Sequence, residues 1–288
     1  MKQIITDFFS FIRKPKDFQY SGNDKSYKWR VFFTLFIAEL MLLIVYLPLI
    51  YLINEHIPIE DSTELNLNVI FSFLLLVLFI PFCEEVFFRL GLRRKGLVGI
   101  IFSKEQWEKF FPLFIYASSI IFGLVHISNY ANSSWLFIVL SPILILTQLT
   151  GGFILAYLRV RFNFWLSFLY HALWNFTAIF LLGNVGMLFV DDIDIKTNDY
   201  ELQVKHQLFV SLTDDKTITF DQTEDGKLKM LKSDEFSVRE MLEFIEVDFE
   251  NYVPEAVIVD LNFRSNNGIS NDSLLIILEE NELLKKRR

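Results

Sequence analysis

Two adjacent carboxylates and an arginine, Glu84-Glu85-x-x-x-Arg89, interrupt an apolar run over residues 67–88. Charged side chains are costly in hydrocarbon, so ionisable residues inside an apolar segment indicate a functional site. Paired carboxylates suit general acid–base chemistry, in which one carboxylate takes a proton from water. Arg89 lies one helical turn from Glu85 and can neutralise it, which leaves Glu84 as the reactive acid.

Two later apolar stretches each carry a histidine, in Phe122-x-x-x-His126 and in His171-x-x-x-Asn175. Both pairs have the i, i+4 spacing that places two side chains on one helical face. Polar faces on three membrane helices can converge on one interior pocket, because none can face lipid cheaply. In such a pocket His126 can hold or polarise a water molecule. His171 and the Asn175 amide can donate hydrogen bonds to the oxyanion that forms when water attacks a peptide carbonyl.

Each motif taken singly is also typical of packing. Glu85 and Arg89 can form a buried ion pair that fixes helix register, and a histidine in a membrane helix is often a hydrogen-bonded packing residue. The three motifs together favour catalysis over packing.

The composition indicates that these residues belong to a membrane protein. The chain is 52% apolar and contains 32 phenylalanines, far above the usage in soluble proteins. The apolar residues concentrate in residues 31–182, which predicts an all-α polytopic bundle followed by a small α+β soluble domain. The net charge of -8 gives no support for nucleic-acid binding, and the single cysteine excludes an internal disulfide.

Five apolar stretches are long enough to cross a membrane, since about 20 residues span the hydrocarbon. They cover residues 31–53, 67–88, 110–127, 135–158 and 162–182. Lys and Arg cluster before the first stretch, between the second and third, and after the fourth, which predicts a cytoplasmic N-terminus. An odd number of spans then predicts an extracytoplasmic C-terminal domain.

If the helices are straight, Glu84 and His171 lie about 13 Å along the helix axis from the basic, cytoplasmic end of their spans, and His126 lies about 25 Å from that end of its span. A shared pocket therefore requires helix tilt, a re-entrant piece after Arg89, or a third span that begins outside the hydrocarbon.

Residues 1–30 form an amphipathic and basic segment. Its apolar residues Ile4, Ile5, Phe8, Phe9 and Ile12 share one helical face. This pattern favours a helix on the inner membrane surface, with a disordered basic tail as the alternative. Residues 31–190 are predicted to form the membrane bundle.

Residues 191–288 are predicted to form the α+β domain. Strand patterns occur over residues 202–212, 217–220, 228–231 and 256–263, and helical patterns follow the capping box Ser237-x-x-Glu240 and cover residues 272–286. Asp225-Gly226 marks a hairpin turn. This domain shows no site chemistry, so we expect a module that binds a protein partner.

The three motifs, in this order on successive apolar segments, resemble the CPBP family (CAAX protease and bacteriocin-processing, also called Abi) of intramembrane proteases. Relatives include the Rce1-type CAAX prenyl endopeptidases. The resemblance covers residues 65–182, and residues 148–161 also look like the family's segment before its last motif. It implies that Glu84 activates water for attack on a peptide bond, with Glu85, Arg89 and Phe122 in support. Leu90 departs from the family, where many members have glycine, and we expect altered local packing there.

A metal ion is the open question in this site. Glu84, His126 and His171 can ligate zinc or another divalent metal and leave a position for water, and the family is usually grouped with metalloendopeptidases. However, the histidines lie in separate helices without HExxH spacing, and a neutral Asn is a poor zinc ligand. Because the same groups suffice for metal-free hydrolysis, the favoured interpretation requires no cofactor.

The substrate class stays open between a prenylated protein, a leader peptide and a membrane-protein fragment. The resemblance implies a bacterial cytoplasmic (inner) membrane. An alternative hypothesis is a non-catalytic membrane scaffold or bacteriocin self-immunity protein that presents residues 191–288 to a partner. A transporter with the acid pair as a proton relay is disfavoured, because the sequence lacks discontinuous helices in paired halves.

Overall fold

A computed structural model describes residues 1–22, 24–62, 66–212 and 216–287. The chain divides into two units. The helical unit comprises Met1–Leu52, Phe73–Asn129 and Ser133–Thr177, and the mixed unit comprises Ile53–Ser72, Tyr130–Asn132 and Ala178–Arg288. The mixed unit thus takes in loop residues between the apolar helices as well as the C-terminal part of the chain.

The helices follow the apolar stretches of the sequence. They are α1 Lys2–Arg13, α2 Tyr27–His56, α3 Val69–Ser72, α4 Ile80–Arg89, α5 Leu97–Ile101, α6 Lys104–Val125, α7 Trp135–Leu144, α8 Leu146–Arg161, α9 Phe164–Phe176 and α10 Gly183–Met187. Two π-helical segments, Phe73–Phe79 and Thr177–Leu182, and one 3-10 turn, His126–Asn129, join some of them.

Among the described residues, four helical stretches are long and apolar enough to cross a membrane. They are Tyr27–His56, Val69–Arg89, Lys104–Asn129 and Phe164–Met187, and the pair Trp135–Leu144 and Leu146–Arg161 makes a fifth if it counts as one span. The chain is therefore mostly helical and carries four to five apolar spans, as an integral membrane protein requires.

The fourth apolar stretch is not the straight span over residues 135–158 that the sequence predicts. Its two helices meet at Ile145 with a bend of 41°. Pro142 lies inside α7 and has no N–H for the carbonyl of Ile138, which accepts a hydrogen bond from Oγ of Ser141 at 2.8 Å instead. Proline is a common cause of such kinks, because it removes a ladder bond and crowds the preceding turn.

The N-terminal segment forms α1 and packs within the helical unit. Ile4, Phe8 and Phe11 are buried, and the rings of Phe8 and Phe11 meet the ring of Tyr157 edge-on. Phe9, on the predicted apolar face, is 57% exposed and does not join this packing. The buried residues follow the spacing i, i+4, i+7, which favours Phe11 over Phe9.

Helix termini in the helical unit are set by side-chain caps. Ser103 and Gln106 form a reciprocal capping box at the start of α6, and the Asn163 side chain accepts from the N–H of Leu166 at the start of α9. Such caps satisfy N–H groups that lack partners within the first turn. They place the first residue of α6 at Lys104, earlier than the predicted start at residue 110.

The C-terminal part of the mixed unit is an antiparallel sheet with two helices. Its strands are β1 Ile193–Lys196, β2 Tyr200–Gln207, β3 Thr217–Gln222, β4 Leu228–Ser237 and β6 Ile258–Ile269 in the order β1-β2-β6-β4-β3, with β5 Tyr252–Pro254 and β7 Leu284–Lys286 in a second small sheet. The helices α11 Val238–Phe244 and α12 Asn271–Glu280 bury Met241 and Leu278 in one core with Phe263.

Local sequence features explain much of this arrangement. Gly226 adopts a φ of 77° in the turn between β3 and β4, and Ser237 and Glu240 form the capping box of α11. The helix predicted over residues 272–286 is wrong beyond Glu280. Glu282 has a φ of 61°, and this left-handed turn reverses the chain into β7, which pairs with β5.

Two loop segments between apolar helices belong to the mixed unit. Asp61 forms a bridge to Tyr130, and Asn68 forms one to Val210. The carboxylate of Glu60, which is 7% exposed, accepts from the guanidinium groups of Arg239 at 3.0 Å and Arg287 at 2.9 Å. The C-terminal sheet is thus tied to the loops that precede α3 and α7.

Candidate active site

The acid pair and its arginine lie on α4 with different exposures. Glu85 and Arg89 are completely buried, whereas the side chain of Glu84 is 23% exposed. Nε of Arg89 lies 3.6 Å from Oε1 of Glu85, as the i, i+4 spacing predicts. The guanidinium therefore faces the buried carboxylate, and Glu84 is the member of the pair that remains accessible.

His126 is the first residue after α6, at the start of the 3-10 turn. Its Nδ1 lies 2.7 Å from the carbonyl oxygen of Phe122, one turn earlier. A carbonyl can only accept a hydrogen bond, so Nδ1 carries the proton and Nε2 of the neutral ring is an acceptor. This Nε2 lies 3.9 Å from Oε1 of Glu84.

His171 approaches the same carboxylate from α9 and is 5% exposed. Its Nε2 lies 3.3 Å from Oε2 of Glu84, and its Nδ1 lies 3.2 Å from Oε1 of Glu85. Two carboxylates thus contact opposite edges of one imidazole. The buried carboxylate of Glu85 orients the ring so that Nε2 points at Glu84.

Phe122 packs in the middle of these groups. Its ring centre is 4.0 Å from Cζ of Arg89, and it meets the rings of His126 and His171 edge-on at 4.9 Å and 5.6 Å. A guanidinium over an aromatic face is attracted by the ring quadrupole. One aromatic side chain therefore helps to position both imidazoles and the arginine.

The last predicted site residue, Asn175, has a different contact. Its Nδ2 donates to the carbonyl oxygen of Leu76 at 2.9 Å. Leu76 lies in the π-helical segment Phe73–Phe79, and π-helical turns occur frequently at functional sites. The structure thus links Asn175 to the helical stretch that carries the acid pair, rather than to a carboxylate.

Sequence reasoning missed Ser167. Its Oγ lies 2.5 Å from Oε2 of Glu85 and 3.0 Å from the carbonyl oxygen of Leu155. Ser167 is four residues before His171 and eight before Asn175, so all three occupy one face of α9. That spacing was the signal that would have found it.

A second missed residue is Glu39, an acid inside the apolar helix α2. It is 2% exposed, and its Oε2 accepts from the hydroxyl of Tyr170 at 2.7 Å. Tyr170 precedes His171 in α9. A lone ionisable residue in an apolar span was a sufficient reason to single out Glu39.

The closely packed helices α6 and α8 complete the surroundings of Arg89. The carbonyl oxygen of Gly152 accepts from Nη2 of Arg89 at 3.4 Å and from Oγ of Ser119 at 3.1 Å. A Cβ at Gly152 would lie 2.8 Å from the backbone oxygen of Ser119. Only glycine permits this approach of the two backbones. Leu90, by contrast, has a helical backbone with φ of -58°, so this position does not require glycine.

The side chains as placed do not form a three-ligand metal centre. In residues 1–22, 24–62, 66–212 and 216–287, no group of three His, Cys, Asp or Glu side chains is arranged to hold a metal ion. Nε2 of His126 lies 3.9 Å from Oε1 of Glu84, and Nε2 of His171 lies 3.3 Å from Oε2 of Glu84. A catalytic zinc site takes three protein ligands, each about 2 Å from one ion, so Glu84, His126 and His171 are the residues that would have to supply them.

Comparison with known proteins identifies one region. Residues 66–177 match the family model described as type II CAAX prenyl endopeptidase Rce1-like. This match confirms the resemblance to the CPBP and Rce1-type proteases, and it contains all three motifs. No curated protein and no solved structure matches the chain. Intramembrane proteolysis of the CAAX-protease kind is therefore supported at the level of the family.

Proposed function

We propose that this Rce1-like chain is an integral-membrane endopeptidase that hydrolyses a membrane-proximal peptide bond with water activated by Glu84. One observation carries the proposal. The carboxylate of Glu84 lies between the Nε2 atoms of two histidines from different helices, at 3.9 Å from His126 and 3.3 Å from His171. Three such groups converging in an apolar helical unit are costly unless they serve a function.

Both ring nitrogens of His171 face carboxylates, which accept hydrogen bonds, and this assigns a proton to each nitrogen. The carboxylates of Glu84 and Glu85 and the guanidinium of Arg89 leave one negative charge uncompensated. A proton on Nε2 of His171, opposite Glu84, makes the cluster neutral, which low-polarity surroundings favour. His171 then donates from both ring nitrogens, to Glu85 at 3.2 Å and to Glu84 at 3.3 Å.

The hydrolytic steps follow from these positions. A water molecule held by Glu84 and by Nε2 of His126 gives its proton to Glu84 as its oxygen bonds to the peptide carbonyl carbon. Once Glu84 has taken this proton and lost its charge, Nε2–H of His171 turns from Glu84 to the oxyanion and donates a hydrogen bond to it. When the C–N bond breaks, the proton on Glu84 passes to the leaving nitrogen, and Glu84 returns to the carboxylate.

The remaining residues hold the reacting groups in place. Glu85 and Arg89 neutralise each other and orient His171, and the Phe122 carbonyl fixes the tautomer of His126. Asn175 keeps one amide N–H beyond the one that it donates to Leu76, and we assign this N–H to the oxyanion as a second donor.

The favoured mechanism is metal-free. Glu84 supplies the base, His126 accepts a hydrogen bond from the water, and His171 donates one to the oxyanion, so no further group is required. In the zinc alternative Glu84, His126 and His171 would hold the ion, which would supply the activation of the water. The two versions are separated by the response to chelators.

The substrate proposal follows the matched family. A prenylated CAAX peptide at the surface of a bacterial inner membrane is the first candidate, with leader peptides and membrane-protein fragments as alternatives. The lack of Lys and Arg in residues 54–66 and 128–134 supports an extracytoplasmic C-terminal domain. The contacts of Glu60 with Arg239 and Arg287 tie that domain to the first of these loops.

Comparative proteomics tests the proposal and identifies the substrate in the same experiment. Membranes from cells that express the wild type are compared with membranes from cells that express Glu84→Gln, with the exposed Glu108→Gln as the matched control. Uncut precursors should accumulate only with Glu84→Gln. Identical profiles for the wild type and Glu84→Gln, at equal membrane levels of the two proteins, would refute hydrolysis by Glu84.

The scaffold alternative rests on a separate observation, the independent hydrophobic core of the C-terminal sheet and helices. A domain with its own core can bind a partner whether or not the helical unit cleaves anything. A Glu84→Gln/His171→Ala double variant separates the two functions. Full complementation of a deletion strain by this variant would favour the scaffold over the protease.

A further inference from the structure

Two neighbouring cavities lie where α1, the first turns of α2 and the end of α8 meet, away from Glu84. The first has a volume of about 610 Å³ and is lined by Lys14, Lys16, Arg161 and aromatic side chains. The second, of about 570 Å³, is lined mostly by apolar residues of α1 and α2. Gln3 and Tyr27 line both cavities, so the polar cavity adjoins the apolar groove.

The polar cavity carries excess positive charge. Lys14 and Lys16 are exposed, and Asp7 supplies the carboxylate of the lining. That carboxylate already accepts from the Tyr157 hydroxyl at 2.6 Å and from Nη2 of Arg161 at 3.2 Å. The two lysines therefore remain available for an anion.

Arg161 has an unused donor in the same wall. Nη1 donates to the carbonyl oxygen of Phe18 at 3.2 Å, and Nη2 donates to Asp7. Its Nε is buried, yet it has no hydrogen-bond partner in the part of the chain that the structure describes. Buried donors are nearly always satisfied, so Arg161 keeps donor capacity that no residue in the described part of the chain uses.

The groove has the character of an acyl-chain site. Ile4, Phe33 and Ile37 line it, and the last two are 51% and 47% exposed. From Tyr27 to Ile37 it follows about 15 Å of the axis of α2. Trp29 also lines it, and tryptophan is enriched where a span enters the headgroup region. Arg30 lines its polar end but is already paired with Asp24 at 2.6 Å.

We propose that these two cavities together bind one anionic phospholipid, with its phosphate among Lys14, Lys16 and Arg161 and an acyl chain in the groove. Basic pockets between membrane helices are suited to anionic headgroups. The adjoining apolar groove distinguishes a lipid from a free phosphate, because a free phosphate gains nothing from contact with Phe33 and Ile37.

Native mass spectrometry of the full-length protein tests this site. The protein is extracted from vesicles of equal parts phosphatidylglycerol and phosphatidylcholine, and the retained lipid is counted. Lys14→Gln/Lys16→Gln should lower phosphatidylglycerol retention by on the order of tenfold. Ile37→Trp, which fills the groove, should lower it without a change in charge. The control Lys104→Gln/Lys109→Gln removes the same charge from exposed positions of α6 and should retain lipid like the wild type.

Three outcomes would overturn the proposal. Equal retention of the two lipids by the wild type would remove the preference for an anion. If Lys104→Gln/Lys109→Gln and Lys14→Gln/Lys16→Gln lower phosphatidylglycerol retention equally, the lipid is held by diffuse electrostatic attraction and not by this site. Displacement of the lipid by millimolar inorganic phosphate or glycerol phosphate, with no effect of Ile37→Trp, would identify a phosphate site instead of a lipid site.

Discussion

Nδ1 of His171 lies 3.2 Å from Oε1 of Glu85, a carboxylate with no exposed surface. The second acid of the pair therefore acts on the imidazole, and the first acid faces the opposite edge of the same ring. The two neighbouring carboxylates therefore have different roles, and the proposed mechanism depends on this difference. It also gives Glu85 a role that can be measured separately from that of Glu84.

Replacing Glu85 with glutamine keeps the size of the side chain but removes its charge. Nδ1 of His171 then loses the carboxylate that orients the ring, and we expect kcat to fall about 10- to 100-fold, the range for hydrogen-bond partners that orient a functional histidine. Cleavage of a substrate identified by proteomics measures the effect. Ser167→Ala removes a neutral hydrogen-bond partner of the same carboxylate, and it should lower kcat less than Glu85→Gln does. A wild-type kcat in Glu85→Gln would contradict the positioning role.

Arg89→Met tests the buried ion pair through stability. Removing one partner of a buried pair leaves an uncompensated charge and costs about 3–5 kcal/mol. We expect a lower thermal unfolding midpoint in detergent for Arg89→Met. The double variant Glu85→Gln/Arg89→Met removes both charges and should recover much of the loss. If the double variant is less stable than Arg89→Met alone, the two residues do not compensate each other.

Much of this site could be predicted because its chemistry is local in sequence. The i, i+4 spacings of Glu85 with Arg89 and of Phe122 with His126 reappear as direct contacts in the structure. The roles of these residues in catalysis stay predictions. The partner of Asn175 could not be read from the sequence, because it is a main-chain oxygen in a π-helical segment almost a hundred residues away.

The relative positions of side chains on different helices could not be predicted from the sequence either. Straight helices would place His126 much deeper in the membrane than Glu84, measured from the cytoplasmic side. In the structure, however, Nε2 of His126 lies 3.9 Å from Oε1 of Glu84. Helix α6 also begins at Lys104, six residues earlier than predicted. The bend after Pro142 could have been expected from that proline, whereas the left-handed φ of Glu282 is not recorded by any periodicity.

The side of the membrane that holds the C-terminal domain can be measured with thiol labelling. In a Cys83→Ser background, Glu224→Cys places a thiol in the exposed β3–β4 turn, and Lys95→Cys places one in the basic loop after α4. In intact cells a membrane-impermeant maleimide should label Glu224→Cys, and it should label Lys95→Cys only after permeabilisation. The reverse pattern would invert the proposed topology.

Chelation separates the metal-free mechanism from the zinc alternative. We expect purified enzyme in liposomes to keep its cleavage rate within twofold after prolonged treatment with EDTA or 1,10-phenanthroline, because Glu84 and the imidazoles supply the chemistry themselves. A known zinc protease treated in parallel confirms that the chelators act. Loss of cleavage that returns on addition of zinc would overturn the metal-free assignment.

The most direct measurement is the single-turnover cleavage rate of Glu84→Gln in liposomes, with Glu108→Gln as the matched control. Glutamine keeps the contacts of the side chain but cannot accept the proton from water, so the rate should fall about 10²- to 10⁴-fold while the variant inserts and binds substrate as the wild type does. A rate for Glu84→Gln within a few-fold of the wild type would contradict the account, because water activation would then not depend on this carboxylate.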